Sequence, residues 1–295
     1  MVTVKNLRVG AEITGVDLSK PLDEATANKI RETYNERHLL LFPKQDISIL
    51  DQWRAVSLFG TILNESQDGS GAIYVSGEKT KIESNRLLFH SDNHFTQVPI
   101  DLISLYAEEV DETATSTLFV DNAETYRDLP QRIKDKIDSA EVTTRTYFHR
   151  GFSDRPARMI SEAEDDSDGP IAHHPAVWRH KVTGEPFVYL TELHAQVLSG
   201  MSRAESDKLL DEIFETMYQP ARFYEHKWRT GDYLLWDNKI IQHARGEIRN
   251  VADGTSPPRS IRRVASGSVG FAEQFQFSEA ALERMGANRS RAYAN

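Results

Sequence analysis

The sequence predicts a mainly β chain with flanking helices, an α+β arrangement. Short apolar or β-branched runs, bounded by glycine, asparagine or proline, recur around His90 and through the C-terminal third. Helical periodicity is confined to a few stretches with identifiable starts. A chain of 295 residues can bury a sizeable core, and no linker divides it, so one domain over 1–295 is expected.

Residues 4–18 mix alternating apolar positions with two glycines, the pattern of short strands joined by turns. Residues 23–37 read as a helix, with Ala27, Ile30 and Tyr34 along one face. The apolar run 38–42, stopped by Pro43, and the run 102–107 read as buried strands. A helix is expected to start at Asp128, a capping residue followed by Pro130. Another starts at the capping box Ser202 to Glu205, and Leu209, Leu210, Ile213, Phe214 and Met217 make its core stripe. Residues 233–236, 240–241 and 260–269 are strand-like segments separated by turns. The acidic stretch 161–170 lacks the ligand pattern of a calcium loop and reads as a surface excursion.

Composition narrows the chemistry. Lys and Arg number 35 against 45 Asp and Glu, a net charge of −10, with no basic cluster to track a phosphate backbone. Nucleic acid and anionic membrane surfaces are therefore not expected partners, and a small molecule is. Zero cysteines remove disulfides, thiolate metal sites, iron–sulfur clusters and cysteine nucleophiles. Any metal must use nitrogen and oxygen. No signal peptide or membrane-length apolar run is visible, so a cytoplasmic location is expected.

One constellation stands out: His90-Ser-Asp92, a distal His243 after Trp236-Asp-Asn238, then Arg259 and Arg263. Two histidines and one carboxylate can occupy one face of an octahedral ferrous ion and leave three positions open. If the first motif is extended, His90 and Asp92 share a side of the strand, with Phe89 and Phe95 suiting a partly buried end. Zinc would accept the same ligands, so ligand type alone leaves the metal open. The spacing of four puts Arg259 and Arg263 on one face of an extended segment and turns Arg262 to the other. A guanidinium grips a carboxylate through two parallel hydrogen bonds.

These motifs, with the opening Gly10-Ala-Glu-Ile-Thr-Gly-Val-Asp-Leu18, the run Leu39 to Pro43, the stretch His174 to Gly184 and Trp228-Arg-Thr-Gly-Asp232, stand in one order along nearly the whole chain. In that order the sequence resembles the iron(II)- and 2-oxoglutarate-dependent dioxygenases of the taurine and 2,4-dichlorophenoxyacetate dioxygenase type. The resemblance implies a double-stranded β-helix (jelly-roll, cupin-like) core. It implies Fe(II) held by His90, Asp92 and His243, with 2-oxoglutarate and O2 as cosubstrates. Arg259 would anchor the distal carboxylate of 2-oxoglutarate with help from Thr117, and Arg263 would meet an anionic substrate. The usual Gly-Gly-Asp-Thr around that threonine is Ala114-Thr-Ser-Thr117 here. Relatives can place a substrate contact at the position of Arg86; His94, close to Asp92, is a second candidate for lining the pocket.

The implied reaction oxidises an aliphatic C–H of a small anionic molecule, most simply to an alcohol, releasing succinate and CO2. Desaturation, cyclisation and carbon–heteroatom cleavage share that chemistry; halogenation does not fit, because Asp92 retains the carboxylate that halogenating relatives replace. A dimer or tetramer is expected from the resemblance. Two rivals remain, a non-oxidative metal hydrolase and a catalytically silent jelly-roll binding protein. Asp237, Asn238, His173 and His174 read as turn, packing or supporting groups.

Overall fold

The computed structural model describes residues 2–65, 73–76, 87–111, 113–146, 155–160, 170–246 and 259–268. The N-terminal part runs β1 (Thr3–Asn6), β2 (Ala11–Thr14), α1 (Glu24–Arg37), β3 (Leu39–Phe42), α2 (Ile49–Val56) and β4 (Ile73–Ser76). The middle holds β5 (Leu102–Val110), β6 (Thr117–Asp121), α3 (Asn122–Asp128), α4 (Gln131–Ile137), β7 (Glu141–Arg145), β8 (Ile171–Pro175), β9 (Val177–Arg179), β10 (Pro186–Val188) and β11 (Ala195–Leu198). Then follow α5 (Arg203–Met217), β12 (Tyr224–His226), β13 (Tyr233–Asp237), β14 (Ile241–Arg245) and β15 (Arg259–Ser266).

A seven-stranded sheet in the order β1-β2-β3-β13-β5-β15-β4 faces a three-stranded sheet, β12-β6-β14. Strand alternation shows how they pack. Leu39, Leu41, Leu234 and Trp236 point inward with Ile103, Leu105, Ile261 and Ala265, and meet Phe119 and Ile241 from the smaller sheet. Their neighbours Leu40, Phe42, Tyr233, Leu235 and Val264 point outward, against Ile30 and Tyr34 of α1 and Ala55 and Val56 of α2. Val120 and Ala244, on the outer face of the smaller sheet, pack under Ile133 and Ile137 of α4 and the apolar stripe of α5. The central strands of the larger sheet are thus buried on both faces, and the expected jelly roll is the result.

Local chemistry explains the boundaries. Asp23 caps α1 by accepting from the Thr26 amide at 2.9 Å. Ser202 and Glu205 form the expected capping box of α5. The helix expected at Asp128 is corrected: Asp128 ends α3, and α4 begins after Pro130, which lacks the amide to continue the first helix. Helix α2 was not foreseen; Ser48 and Asp51 form a capping box there as well. Gly10 has φ +82°, and a Cβ there would lie 2.4 Å from the Leu39 carbonyl oxygen, so the β1–β2 turn needs glycine. The acidic stretch 161–169 lies outside the described residues. Among the described residues no helix is long and apolar enough to cross a membrane.

Candidate metal centre

His90 and His243 meet through the backbone before their rings meet. Each amide donates to the other's carbonyl at 3.0 Å, an isolated antiparallel bridge that brings the ring centroids to 4.3 Å. His243 lies two residues beyond Ile241 on β14 and so shares its inward face. The expectation of an extended His90-Ser-Asp92 strand is corrected. Only His90 is bridged; the chain then turns, with Asn93 at φ +56° and the Thr96 amide donating to the Asn93 carbonyl at 3.0 Å. The turn still delivers the carboxylate. Oδ1 of Asp92 stands 3.1 Å from Nε2 of His90 and 3.6 Å from Nε2 of His243.

Supporting contacts fix the donors. Nδ1 of His90 lies 2.9 Å from the Leu88 carbonyl, which can only accept, so Nδ1 carries a proton and Nε2 is the nitrogen turned toward Asp92. Asn238, fully buried, accepts from the Asp92 amide at 2.9 Å and donates to the carbonyls of Asp92 at 2.9 Å and Ile100 at 3.1 Å. Burial works to raise the Asp92 pKa, but Arg263, His243 and His90 outweigh it and hold the carboxyl well below the usual range. Burial, helped by His90, pushes His243 down to about 3. At neutral pH Asp92 is therefore a carboxylate and His243 a neutral imidazole. The three donor atoms lie within 4.8 Å of one another, and metal–ligand bonds of roughly 2.0–2.2 Å let such a triangle close on one ion. The residues fit the metal.

The arginines sit on β15 as strand alternation requires. Arg262 faces away from the site, bonding Gln52 at 2.7 Å, the Ile47 carbonyl at 2.9 Å and Glu108. Arg263 faces the site, but its guanidinium is engaged: Nη1 lies 2.8 Å from Glu65 Oε1 and Nη2 lies 3.1 Å from Asp92 Oδ2. Arg259 is the contrast. Its Nε is buried without a hydrogen-bond partner among the described residues, and burial with Arg245 nearby pushes its pKa down to about 10. A buried guanidinium with no acid paired to it among the described residues is a site for an anion.

Thr117 opens β6 in register with Arg245 of β14, and its Oγ1 accepts from Trp228 Nε1 at 3.0 Å, which leaves its own proton to donate. His94 is drawn elsewhere. It is completely buried against Tyr189, His174 and His194, with Nε2 3.3 Å from the Tyr189 carbonyl, and offers no surface to a pocket. His174 packs on the same residue, its Nε2 3.1 Å from the His94 carbonyl. Arg86 lies outside the described residues. Sequence reasoning missed Glu65 and His194. Glu65 is a lone acid in a polar stretch with no pattern to mark it; His194 sits in Leu193-His194-Ala195, where an apolar neighbourhood could have signalled burial.

Comparison with known proteins agrees with the geometry. Residues 3–265 match the family described as "Taurine catabolism dioxygenase TauD, TfdA family". A (S)-phenoxypropionate/alpha-ketoglutarate-dioxygenase from Sphingobium herbicidovorans is 28% identical over 245 residues, 79% of this chain and 85% of that protein. A taurine dioxygenase from Burkholderia xenovorans superposes with a TM-score of 0.75 at 21% identity, over 91% of each chain. AAD-2, crystallised with Mn(II) and N-oxalylglycine, superposes with a TM-score of 0.73 at 25% identity, over 91% of this chain and 98% of that one. The chain therefore belongs to the TauD/TfdA dioxygenase family, oxidoreductases that work with Fe(II), 2-oxoglutarate and O2.

Proposed function

We propose that this protein couples oxidative decarboxylation of 2-oxoglutarate to oxidation of an aliphatic C–H bond in a small organic molecule, most simply hydroxylation. One oxygen atom enters succinate and the other the product, with CO2 released. The observation that carries the reading is the joint placement, within one jelly roll, of the His90, Asp92 and His243 donors and of Arg259, whose Nε has no hydrogen-bond partner among the described residues. A metal hydrolase or a silent binder has no use for that arginine.

His90 Nε2, His243 Nε2 and the Asp92 carboxylate would hold the iron, whose bound state supplies oxygen activation together with 2-oxoglutarate. Arg259 would grip the distal carboxylate of 2-oxoglutarate through paired N–H donors, and Thr117, turned by Trp228, would add its hydroxyl. Phe119 and Trp236, packed against His243 at ring distances of 6.4 and 5.1 Å, keep water from that flank. Asp92 stays ionised without help from a base, because the Arg263 guanidinium 3.1 Å away favours the anion. The relative bound to Mn(II) and N-oxalylglycine supports the reading.

Anaerobic addition of Fe(II) and then 2-oxoglutarate should give the visible charge-transfer absorption of a chelated keto acid. His243→Ala should abolish it, and Arg259→Gln should raise the 2-oxoglutarate concentration needed by at least about tenfold, the loss of one charged hydrogen-bonded contact of roughly 1.5–3 kcal/mol. A folded, iron-loaded wild type with no such absorption would overturn the proposal.

A further inference from the structure

We propose that Glu65 closes the Arg263 end of the site to anions, so that the substrate presents there an uncharged hydrogen-bonding group, a hydroxyl or a carboxamide. The inference rests on the dioxygenase reading and specifies its substrate class.

Glu65 reaches Arg263 through the backbone path. The Gly267 amide donates to the Thr61 carbonyl at 3.0 Å, Ile62 bridges Ser266, and the Leu63 amide donates to the Ala265 carbonyl at 2.9 Å. The segment thus runs antiparallel along the edge of β15, and two further residues bring Glu65 to Arg263. The contact at 2.8 Å is buried on both sides, with the Glu65 side chain 4% and the Arg263 side chain 10% exposed.

Charge then decides what can bind. The Arg263 guanidinium lies between two carboxylates, Glu65 and Asp92; with Asp92 turned to a bound metal, Glu65 alone still balances its charge and leaves none for an incoming anion. An incoming carboxylate or sulfonate would have to displace Glu65 and leave a buried carboxylate unpaired, which is strongly unfavourable. Arg262 cannot stand in, because it is bound to Glu108 on the other face of the strand. Two polar atoms at the pair remain buried without hydrogen-bond partners among the described residues: Oε2 of Glu65, an acceptor, and Nε of Arg263, a donor. A hydroxyl or carboxamide can serve both kinds of group. A carboxylate or sulfonate can only accept, and would meet Oε2 with repulsion.

The test uses methanesulfonate as probe on protein loaded anaerobically with Fe(II) and 2-oxoglutarate. The charge-transfer absorption first reports that the site is assembled; its absence would overturn the parent reading, and this inference with it. Calorimetric titration should then show no saturable binding to wild type or Glu65→Asp, and saturable binding to Glu65→Gln. Saturable binding to wild type would overturn the inference in an assembled site, and that arm needs no variant to fold. A folded, assembled Glu65→Gln that still refuses the probe would overturn it equally, since Arg263 would then be closed for another reason.

Discussion

Asn238 touches no metal donor atom, yet it decides where the Asp92 carboxylate stands. Its amide holds the Asp92 backbone at both N–H and C=O while tying Ile100 to the same point. Asn238→Ala should therefore weaken metal binding by about 10–100-fold, the usual effect of losing a group that orients a ligand. It should also cost roughly 1–3 kcal/mol of stability for the buried groups left unpaired. Titration of the variant with Mn(II) and urea unfolding measure the two effects; unchanged metal affinity would show that the turn holds Asp92 unaided. The donors themselves were legible in the sequence because a metal demands particular atom types. Glu65 was not, since an ion pair between residues so far apart in the chain leaves no spacing to read.

Strand β15 shows how far an element can be read from its period. Alternation alone separated Arg262 from Arg263, and the two guanidiniums do face opposite sides. What alternation could not give was the partner on each side, because partners come from sheet order and loop course. The same limit explains the helices. α5 was visible through its capping box and a stripe of five apolar residues, whereas α2 spans only eight residues and offers too few turns for a stripe to emerge. Ser202→Ala should lower stability by about 1 kcal/mol and leave Mn(II) affinity unchanged, because α5 supports the outer face of the smaller sheet. Gly10→Ala should cost more, from a positive φ and a contact too short to keep, and urea unfolding would rank the two.

At the scale of the molecule, burial of neutral histidines sets the response to acid. Burial pushes His194 and His243 each down to about 3 and holds His94 well below its ordinary 6.5. Above pH 6.5 neither the folded nor the unfolded chain binds these protons. Below it the unfolded chain takes them up and the folded chain does not, so stability falls as pH falls from about 6.5 toward the folded values. The limiting slope is roughly 1.4 kcal/mol per pH unit for each histidine. Asp92 adds its loss lower, beginning in the ordinary carboxylate range, where the unfolded carboxyl takes up its proton and the folded one does not. The melting temperature of the metal-free protein should drop between pH 7 and pH 5, and His194→Phe should make that drop shallower. A flat profile would contradict the burial of these rings. The mainly β class was legible from strand-like runs and the jelly roll from the resemblance; its layers were not, because which strands face one another depends on pairings across most of the chain.

The paired amides of His90 and His243 carry a consequence for dynamics. They join two points more than half the chain apart, so their hydrogens can exchange with solvent only when the N- and C-terminal halves part at that point. An ion held by the two rings would oppose the same opening by its binding free energy. Deuterium uptake at these two amides should thus slow together, and by one common factor, when Mn(II) is added. The pair would then act as a latch between the halves, with the metal as its bolt.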